Sequence, residues 1–142
     1  MAIKQLSVFI ENKQGKLSDA VKVIADADIN IRAMSIGDTK DFGILRLIVS
    51  DCDKAKALLS EDTIVNITDV IAVKMDDKQG ALYKILKVLE DGQINVEYTY
   101  AFTAHVDLDA YVVFRVNDVS AAEKILNEKG FETLNQEQVM EL

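Results

Sequence analysis

The sequence has no proline, one cysteine and one histidine. Without proline, its turns have to be formed by glycine, asparagine, aspartate or serine. A lone Cys52 excludes an internal disulfide and a cysteine cluster for a metal. Its position at a predicted helix start favours a thiolate, but the second half of the chain has Val119 there, which favours a small buried side chain. With His105 as the only histidine, one chain cannot assemble a histidine-based metal site or a Ser-His-Asp triad.

Basic residues and long apolar runs are also scarce. The chain has 16 Lys and Arg against 24 Asp and Glu, a formal net charge of −8. Nucleic acids and anionic membranes bind proteins with a surplus of basic residues, so neither is an expected partner. No apolar stretch approaches the roughly 20 residues of a membrane span. The N-terminal residues MAIKQLSVFIENK do not have the pattern of a secretion signal, which predicts a cytoplasmic protein.

The pentapeptide Lys-Gln-Gly-x-Leu occurs twice, at residues 13–17 and 78–82. The two copies are 65 residues apart, and the same offset applied to residues 12–34 gives nine identical pairs among 23 without a gap. Further along the chain the offset becomes 67, so the second copy contains two extra residues. The chain therefore consists of two copies of one unit. We expect these units at residues 1–67 and 68–142.

Each copy has strand and helix patterns in the order βαββαβ. Alternating apolar residues predict strands, and apolar residues at helical spacing predict helices. The predicted strands cover residues 3–10, 29–36, 44–49 and 63–67 in the first copy, and residues 68–75, 94–102, 111–116 and 131–134 in the second. A helix is predicted after the first and third strand of each copy. For the second helix of each copy, Asp53 is the expected cap in the first, while Ser120 with Glu123 forms the expected capping box and Gly130 the stop in the second.

This order of elements has a compact solution. Four strands form one antiparallel sheet, and both helices pack on one of its faces. The predicted fold class is α+β, with two tandem ferredoxin-like βαββαβ units. A unit of this length buries only about 60% of its unfolded surface, so we expect the two units to dock as a pair.

The repeated turn has the chemistry of an anion-binding site. Gly15 and Gly80 permit a positive φ and the close approach of a ligand. The helix that follows presents free amides and the positive end of its dipole, which stabilise a carboxylate. The alternative is that each glycine only forms a tight turn. Asn30 and Asn95, at the start of the next strand, either bind a ligand or satisfy the local backbone.

A strand, then Asn/Asp-x-x-Gly-x-Leu opening a helix, then Ile-Asn-Ile/Val at the next strand, resembles the ACT domain. The resemblance covers nearly the whole chain as two consecutive units. It implies a sensor of small molecules, mostly amino acids, that binds its ligand at the interface between units paired side by side. It places the binding positions at Asn12, Gln14, Gly15, Lys16, Leu17, Asn30 and Ile31 in the first unit, and at Asp77, Gln79, Gly80, Ala81, Leu82, Asn95 and Val96 in the second.

The two copies depart from the family pattern and from each other. Many family members have proline before the loop glycine, where this chain has Gln14 and Gln79, so the loop is less rigid. The second copy has Asp77 in place of Asn12. It also has Ala81 in place of Lys16. The first change adds an anion suited to an α-amino group, and the second removes a cation near one possible carboxylate site. The two sites should therefore differ in affinity.

The expected function is a regulatory protein that binds a small molecule, an amino acid by resemblance, without catalysis or a cofactor of its own. The resemblance also implies a homodimer and a regulated enzyme of amino-acid metabolism as partner. Two alternatives stay open. One is a dimerisation scaffold without a ligand, and the other is a small enzyme on a ferredoxin-like fold, for which the sequence offers no pairing of nucleophile and base.

Overall fold

The structure is a computed structural model that describes residues 2–38, 40–104 and 109–142. It divides into two compact units. The N-terminal unit comprises residues 4–68, and the C-terminal unit comprises residues 69–142 with the start of the chain.

The N-terminal unit forms its sheet with the strand order β4-β1-β3-β2. Its elements are β1 (Ile3–Glu11), α1 (Lys16–Asp26), β2 (Ile31–Asp38), β3 (Phe42–Val49), α2 (Cys52–Leu59) and the first part of β4 (Val65–Met75). Leu6 lies opposite Leu47, and Val8 lies opposite Leu45, across the antiparallel strands β1 and β3. All four side chains are fully buried, and α1 and α2 cover them.

The C-terminal unit repeats this arrangement with the strand order β7-β4-β6-β5. After β4 its elements are α3 (Ala81–Asp91), β5 (Val96–Thr103), β6 (Ala110–Val116), α4 (Val119–Glu128), β7 (Thr133–Leu134) and α5 (Gln136–Glu141). Ile71 lies opposite Phe114 across β4 and β6. Ile85 and Leu89, one turn apart on α3, bury their side chains in the same core. The predicted α+β class, with antiparallel sheets and helices on one face of each unit, is confirmed.

The described helices are short. None of them combines the length and the apolar character needed to cross a membrane.

Two predicted strands are in fact one strand. The sequence pattern predicts separate strands at residues 63–67 and 68–75, but the structure has a continuous strand β4 over Val65–Met75. No proline or glycine interrupts the chain between these two apolar runs, so the backbone continues in the extended conformation.

The predicted helix caps are wrong by two residues at both second helices. The carboxylates of Asp51 and Asp118 accept hydrogen bonds from the backbone amides of Lys54 and Ala121, each at 3.1 Å. An N-cap side chain accepts from the amide three residues on, and that geometry selects Asp51 over the predicted Asp53. The predicted capping box at Ser120 is replaced by Asp118 for the same reason. At the other end of α4 the prediction is confirmed, because Gly130 adopts a φ of +87.

The strands β2 and β5 begin two residues later than predicted. The amide of Ile29 donates to the carbonyl of Ile24 at 3.2 Å, so this residue still belongs to the end of α1. Asp28 before it adopts a φ of 57, and Gln93 adopts a φ of 59 in the equivalent turn after α3. These are left-handed helix ends formed without glycine. A glycine at the residue with the positive φ, the usual sequence signal for such an end, is therefore missing at both.

The helix α5 was not predicted. Asn135 and Gln138 form a reciprocal capping box, with bonds of 2.9 and 2.8 Å between each side chain and the other residue's amide. Val139 is fully buried and anchors this short helix. The signal Asn-x-x-Gln is present in the sequence, but a single apolar anchor gives no visible helical period.

Gly15 and Gly80, which precede α1 and α3, have φ angles of +84 and +81. No heavy atom lies within 4 Å of the position that a Cβ would occupy at either residue. The backbone angle, rather than crowding, therefore requires glycine here. The space beside each turn is open.

The Gly15→Ala substitution should destabilise the protein although its methyl group meets no other atom. A left-handed conformation costs an L-residue about 1–2 kcal/mol, so the urea midpoint should fall. Gly37→Ala is the matched control in the same unit, because Gly37 has no positive φ and its added Cβ would lie 3.8 Å from Arg46. Urea unfolding monitored by circular dichroism measures both midpoints. Equal midpoints for the two variants would contradict the backbone explanation.

Cys52 is the first residue of α2 and packs half-buried against the N-terminal core. Burial, and then the nearby carboxylate of Asp53, raise the pKa of the Cys52 thiol to about 11. Desolvation therefore outweighs the helix dipole, which acts in the opposite direction. The thiol is protonated near neutral pH, which supports the interpretation of a small buried side chain.

Alkylation of Cys52 by iodoacetamide should be slow at neutral pH and should still accelerate at about pH 10, because the thiolate is the reactive species. In urea the ordinary pKa of about 8.5 applies, so the rate should level off at lower pH. Mass spectrometry of the single cysteine measures both rates. A folded-state rate that levels off near neutral pH would show an activated thiolate instead.

Candidate functional site

The first repeated turn joins β1 to α1 through three backbone hydrogen bonds. The amide of Lys13 donates to the carbonyl of Glu11 at 2.8 Å, and the amide of Lys16 donates to the carbonyl of Lys13 at 3.2 Å. The amide of Asp19 then donates to the carbonyl of Gly15 at 2.9 Å and begins the helix. The turn is thus closed by its own backbone, and its side chains are not needed to hold it.

The second turn, between β4 and α3, has the same three bonds. Lys78 donates to Asp76 at 2.9 Å, Ala81 donates to Lys78 at 3.2 Å, and Lys84 donates to Gly80 at 3.2 Å, all through backbone atoms. The sequence repeat is therefore a structural repeat, bond for bond.

The helices that follow these two turns have no side-chain cap. In contrast, α2, α4 and α5 each have an aspartate or asparagine cap. Within the described residues, the amides of Leu17 and Ser18 have no acceptor, and neither do those of Leu82 and Tyr83. Such amides, at the positive end of a helix dipole, are donors for a carboxylate.

The other predicted loop residues have different surroundings. Asn12 is tied to the turn between β2 and β3, because its amide donates to the carbonyl of Asp41 at 3.0 Å. Gln14, Asp77 and Gln79 are exposed. The loop therefore presents polar side chains to solvent.

The two loop leucines are not equivalent. Leu17 is half-buried and packs against the N-terminal core, whereas the side chain of Leu82 is 39% exposed. Ile31 and Val96, at the starts of β2 and β5, each pack against the core of their unit. Leu17, Ile31 and Val96 therefore contribute to the hydrophobic cores of their units.

Asn30 and Asn95 are held by their backbones rather than by their side chains. The amide of Asn30 donates to the Ser50 hydroxyl at 2.9 Å, and the amide of Asn95 donates to the Asn117 side-chain oxygen at 2.9 Å. Both asparagines are exposed, and in the described part of the chain their side chains have no hydrogen-bond partner. The side-chain amide groups of Asn30 and Asn95 are therefore accessible to a ligand.

The structure does not bring each asparagine to the loop of its own unit. Asn30 follows the C-terminal end of α1, and Gly15 precedes its N-terminal end. The 11 residues of α1 correspond to a separation of about 16 Å at 1.5 Å per residue. One small ligand cannot touch both within a unit.

A groove lies beside the first turn, between the end of β1, the start of α1 and the turn after α2. This N-terminal groove has a volume of about 350 Å³. Its charged lining residues are the carboxylates of Glu11, Asp19 and Asp62 and the ammonium of Lys16. Phe9 also lines the groove. Its backbone amide donates to the carbonyl of Ile64 at 3.1 Å and so holds the turn after α2 against β1.

An equivalent groove lies beside the second turn, between the end of β4, the start of α3 and the turn after α4. This C-terminal groove has a volume of about 400 Å³. Its charged lining residues are the ammonium groups of Lys74, Lys78 and Lys84 and the carboxylates of Asp76 and Glu132. The amide of Lys74 donates to the carbonyl of Glu132 at 2.9 Å, the counterpart of the Phe9 bond. Both volumes fall in the range of roughly 300–1,000 Å³ typical of small-molecule sites.

Ion pairs engage one charge in each groove. Lys13 lies 3.0 Å from Glu11, and its hydrogen bond and charge hold the pKa of that carboxyl below its usual value. Lys74 lies 2.9 Å from Asp109, and the hydrogen bond to that carboxylate raises the pKa of the Lys74 ammonium.

Of the predicted positions, Lys16 lines the N-terminal groove, and Gln79 and Ala81 line the C-terminal groove. Asp19 lines the N-terminal groove and Lys84 lines the C-terminal groove, but neither residue is among the predicted site residues. The offset of 65 pairs these two residues directly, so their opposite signs were visible in the sequence. Among the described residues, no group of three histidine, cysteine or acidic side chains could hold a metal. His105 lies outside the described residues.

Several solved structures resemble this one. Protein BT0572 from Bacteroides thetaiotaomicron is 39% identical, with a TM-score of 0.92 over 100% of this chain and 98% of that chain. The ligand-free regulatory subunit of aspartate kinase from Thermus thermophilus is 12% identical, with a TM-score of 0.66 over 89% of this chain and 92% of that chain. The second likeness shows the shared fold alone. No curated protein matches the sequence.

The family model of the ACT domain pair matches residues 1–142. This match covers both copies of the repeated unit, as the motif resemblance implies. The chain therefore belongs to the ACT domain pair family.

Proposed function

We propose that this chain is a regulatory protein that binds an amino acid at its repeated turns and has no catalysis of its own. The observation that carries the proposal is the pair of uncapped helix starts, each beside an open groove of small-molecule size. The chain caps its other described helices with side chains, so within the described residues only these two helix starts keep free amides for a ligand.

An amino acid matches the chemistry of these turns. Its carboxylate needs donors, which the free amides of Leu17 and Ser18, or of Leu82 and Tyr83, supply. Its ammonium group needs acceptors, which exposed side-chain and backbone oxygens supply. A charged ligand is bound only when both of its charges are matched in this way.

A second copy of the chain would bring an asparagine to each loop. Asn30 and the Gly15 turn lie at opposite ends of α1, so a neighbouring ACT unit in antiparallel orientation would place its asparagine at this turn. The edge strand β2 offers a surface for such pairing, since Met34 and Ile36 are 45% and 46% exposed. We therefore propose a homodimer, with the ligand at the interface between ACT units.

The regulated partner would be an enzyme of amino-acid metabolism. The structure of aspartokinase III from E. coli, whose complex contains lysine and aspartate, has this fold in part of its chain.

We place the two ACT units at residues 1–67 and 68–142, and the protein in the cytoplasm.

A thermal-shift panel of the common amino acids tests this function. At a concentration of 100 times Kd, a ligand should stabilise the protein by about 2.7 kcal/mol. The shift should be lost in the double variant Asn30→Ala and Asn95→Ala, because the exposed side-chain amides of these two asparagines would no longer be present to contact the ligand. Light scattering on the same samples measures whether the chain is a dimer.

Asn66→Ala is the control, because Asn66 is an exposed asparagine on β4 outside both loops. It should retain the full shift. A protein that dimerises but responds to no amino acid would be a scaffold, and the sensor proposal would then fail.

A further inference from the structure

The two grooves are built from the same elements but differ in charge. The N-terminal groove has three carboxylates and one ammonium, and the C-terminal groove has two carboxylates and three ammonium groups. Asp19 and Lys84 are each the fourth residue of their helix, α1 and α3. Phe9 and Lys74 occupy equivalent positions at the ends of β1 and β4. The second groove therefore has two cations at positions where the first has a carboxylate and an apolar ring.

Helix stability does not explain Lys84. A cation in the first turn of a helix opposes the helix dipole, whereas Asp19 at the equivalent position complements it. Lys78, in the loop, also contributes positive charge. In the part of the chain that the structure describes, neither ammonium forms an ion pair. A residue that conflicts with its local element and faces a groove is typical of a functional position.

The remaining charges of the C-terminal groove complete a pattern. Lys74 is already engaged by Asp109 at 2.9 Å, which leaves Lys78 and Lys84 as the lining cations without an ion pair among the described residues. Asp76 and Glu132 supply carboxylates. The groove thus offers two cations for anions and two carboxylates for a cation.

We propose that the C-terminal groove selects an amino acid with an acidic side chain. Such a molecule adds a side-chain carboxylate to the α-carboxylate that the free amides of α3 bind, and Lys78 and Lys84 match this added charge. Its single ammonium group matches the carboxylates of Asp76 and Glu132. The N-terminal groove presents Asp19 in place of the lysine, so it repels the second carboxylate. This inference rests on the proposed amino-acid binding and specifies the side chain that one of the two sites takes.

Isothermal titration calorimetry with L-aspartate, L-glutamate and their amides tests the charge preference. The acids should bind at least about tenfold more tightly than the amides, which have nearly the same shape, and a tenfold difference equals about 1.4 kcal/mol. The preference should shrink as salt is added, since exposed charges are screened. Succinate, which lacks the ammonium group, should bind more weakly than aspartate.

The Lys84→Asp variant should lose the preference for the acids. It introduces the residue type that α1 has at this position, and an acidic residue favours the helix start, so the fold is retained. Lys124→Asp is the matched control, because it makes the same charge change on an exposed position of α4 outside the groove. It should keep the preference of the unmodified protein.

Each outcome separates this inference from the function on which it rests. If acids and amides bind equally well, or if Lys84→Asp keeps the preference, the inference is overturned while amino-acid binding stands. If succinate binds as tightly as aspartate, the groove takes a dicarboxylate and not an amino acid. If no amino acid of any charge binds, the proposed function fails and the inference fails with it.

Discussion

The burial of one sheet face under two helices is the constraint on which each unit depends. Leu6 and Leu47 in the N-terminal unit, and Ile71 and Phe114 in the C-terminal unit, are fully buried on that face. Each buried side chain of this size contributes about 1.5–3 kcal/mol, and a unit of this length has few of them. The helices must therefore lie flat on the sheet, and the chain must turn sharply from the strand into the helix.

That sharp turn has a second consequence. A residue with a positive φ, Gly15 or Gly80, allows the strand to enter the helix at once, and a glycine has no side chain to cap the first amides. The same packing leaves a groove where the helix start meets the turn after the second helix. The sharp turn that the fold requires thus leaves free backbone amides at a helix start beside an open groove. Because the unit is duplicated, the chain has two such places, and their grooves differ in charge.

The repeat, the fold class and most strands could be predicted from the sequence, because glycine spacing and apolar periodicity reflect backbone geometry directly. The caps Asp51 and Asp118 could not, since several acidic or hydroxyl residues stand near each helix start and only the hydrogen bond selects one. The wall that Glu132 adds to the C-terminal groove was also invisible, because it depends on residues far apart in the chain. The separation of Asn30 from its own loop follows from the length of α1.

The central claim is that the repeated turns are ligand sites and not only strand-to-helix connections. Amide chemical shifts of the ¹⁵N-labelled protein, recorded while a stabilising amino acid is added, test it most directly. We expect the largest changes at the uncapped amides of Leu82 and Tyr83, or of Leu17 and Ser18, because these would donate to the ligand's carboxylate. Changes confined to surfaces away from both turns would contradict it.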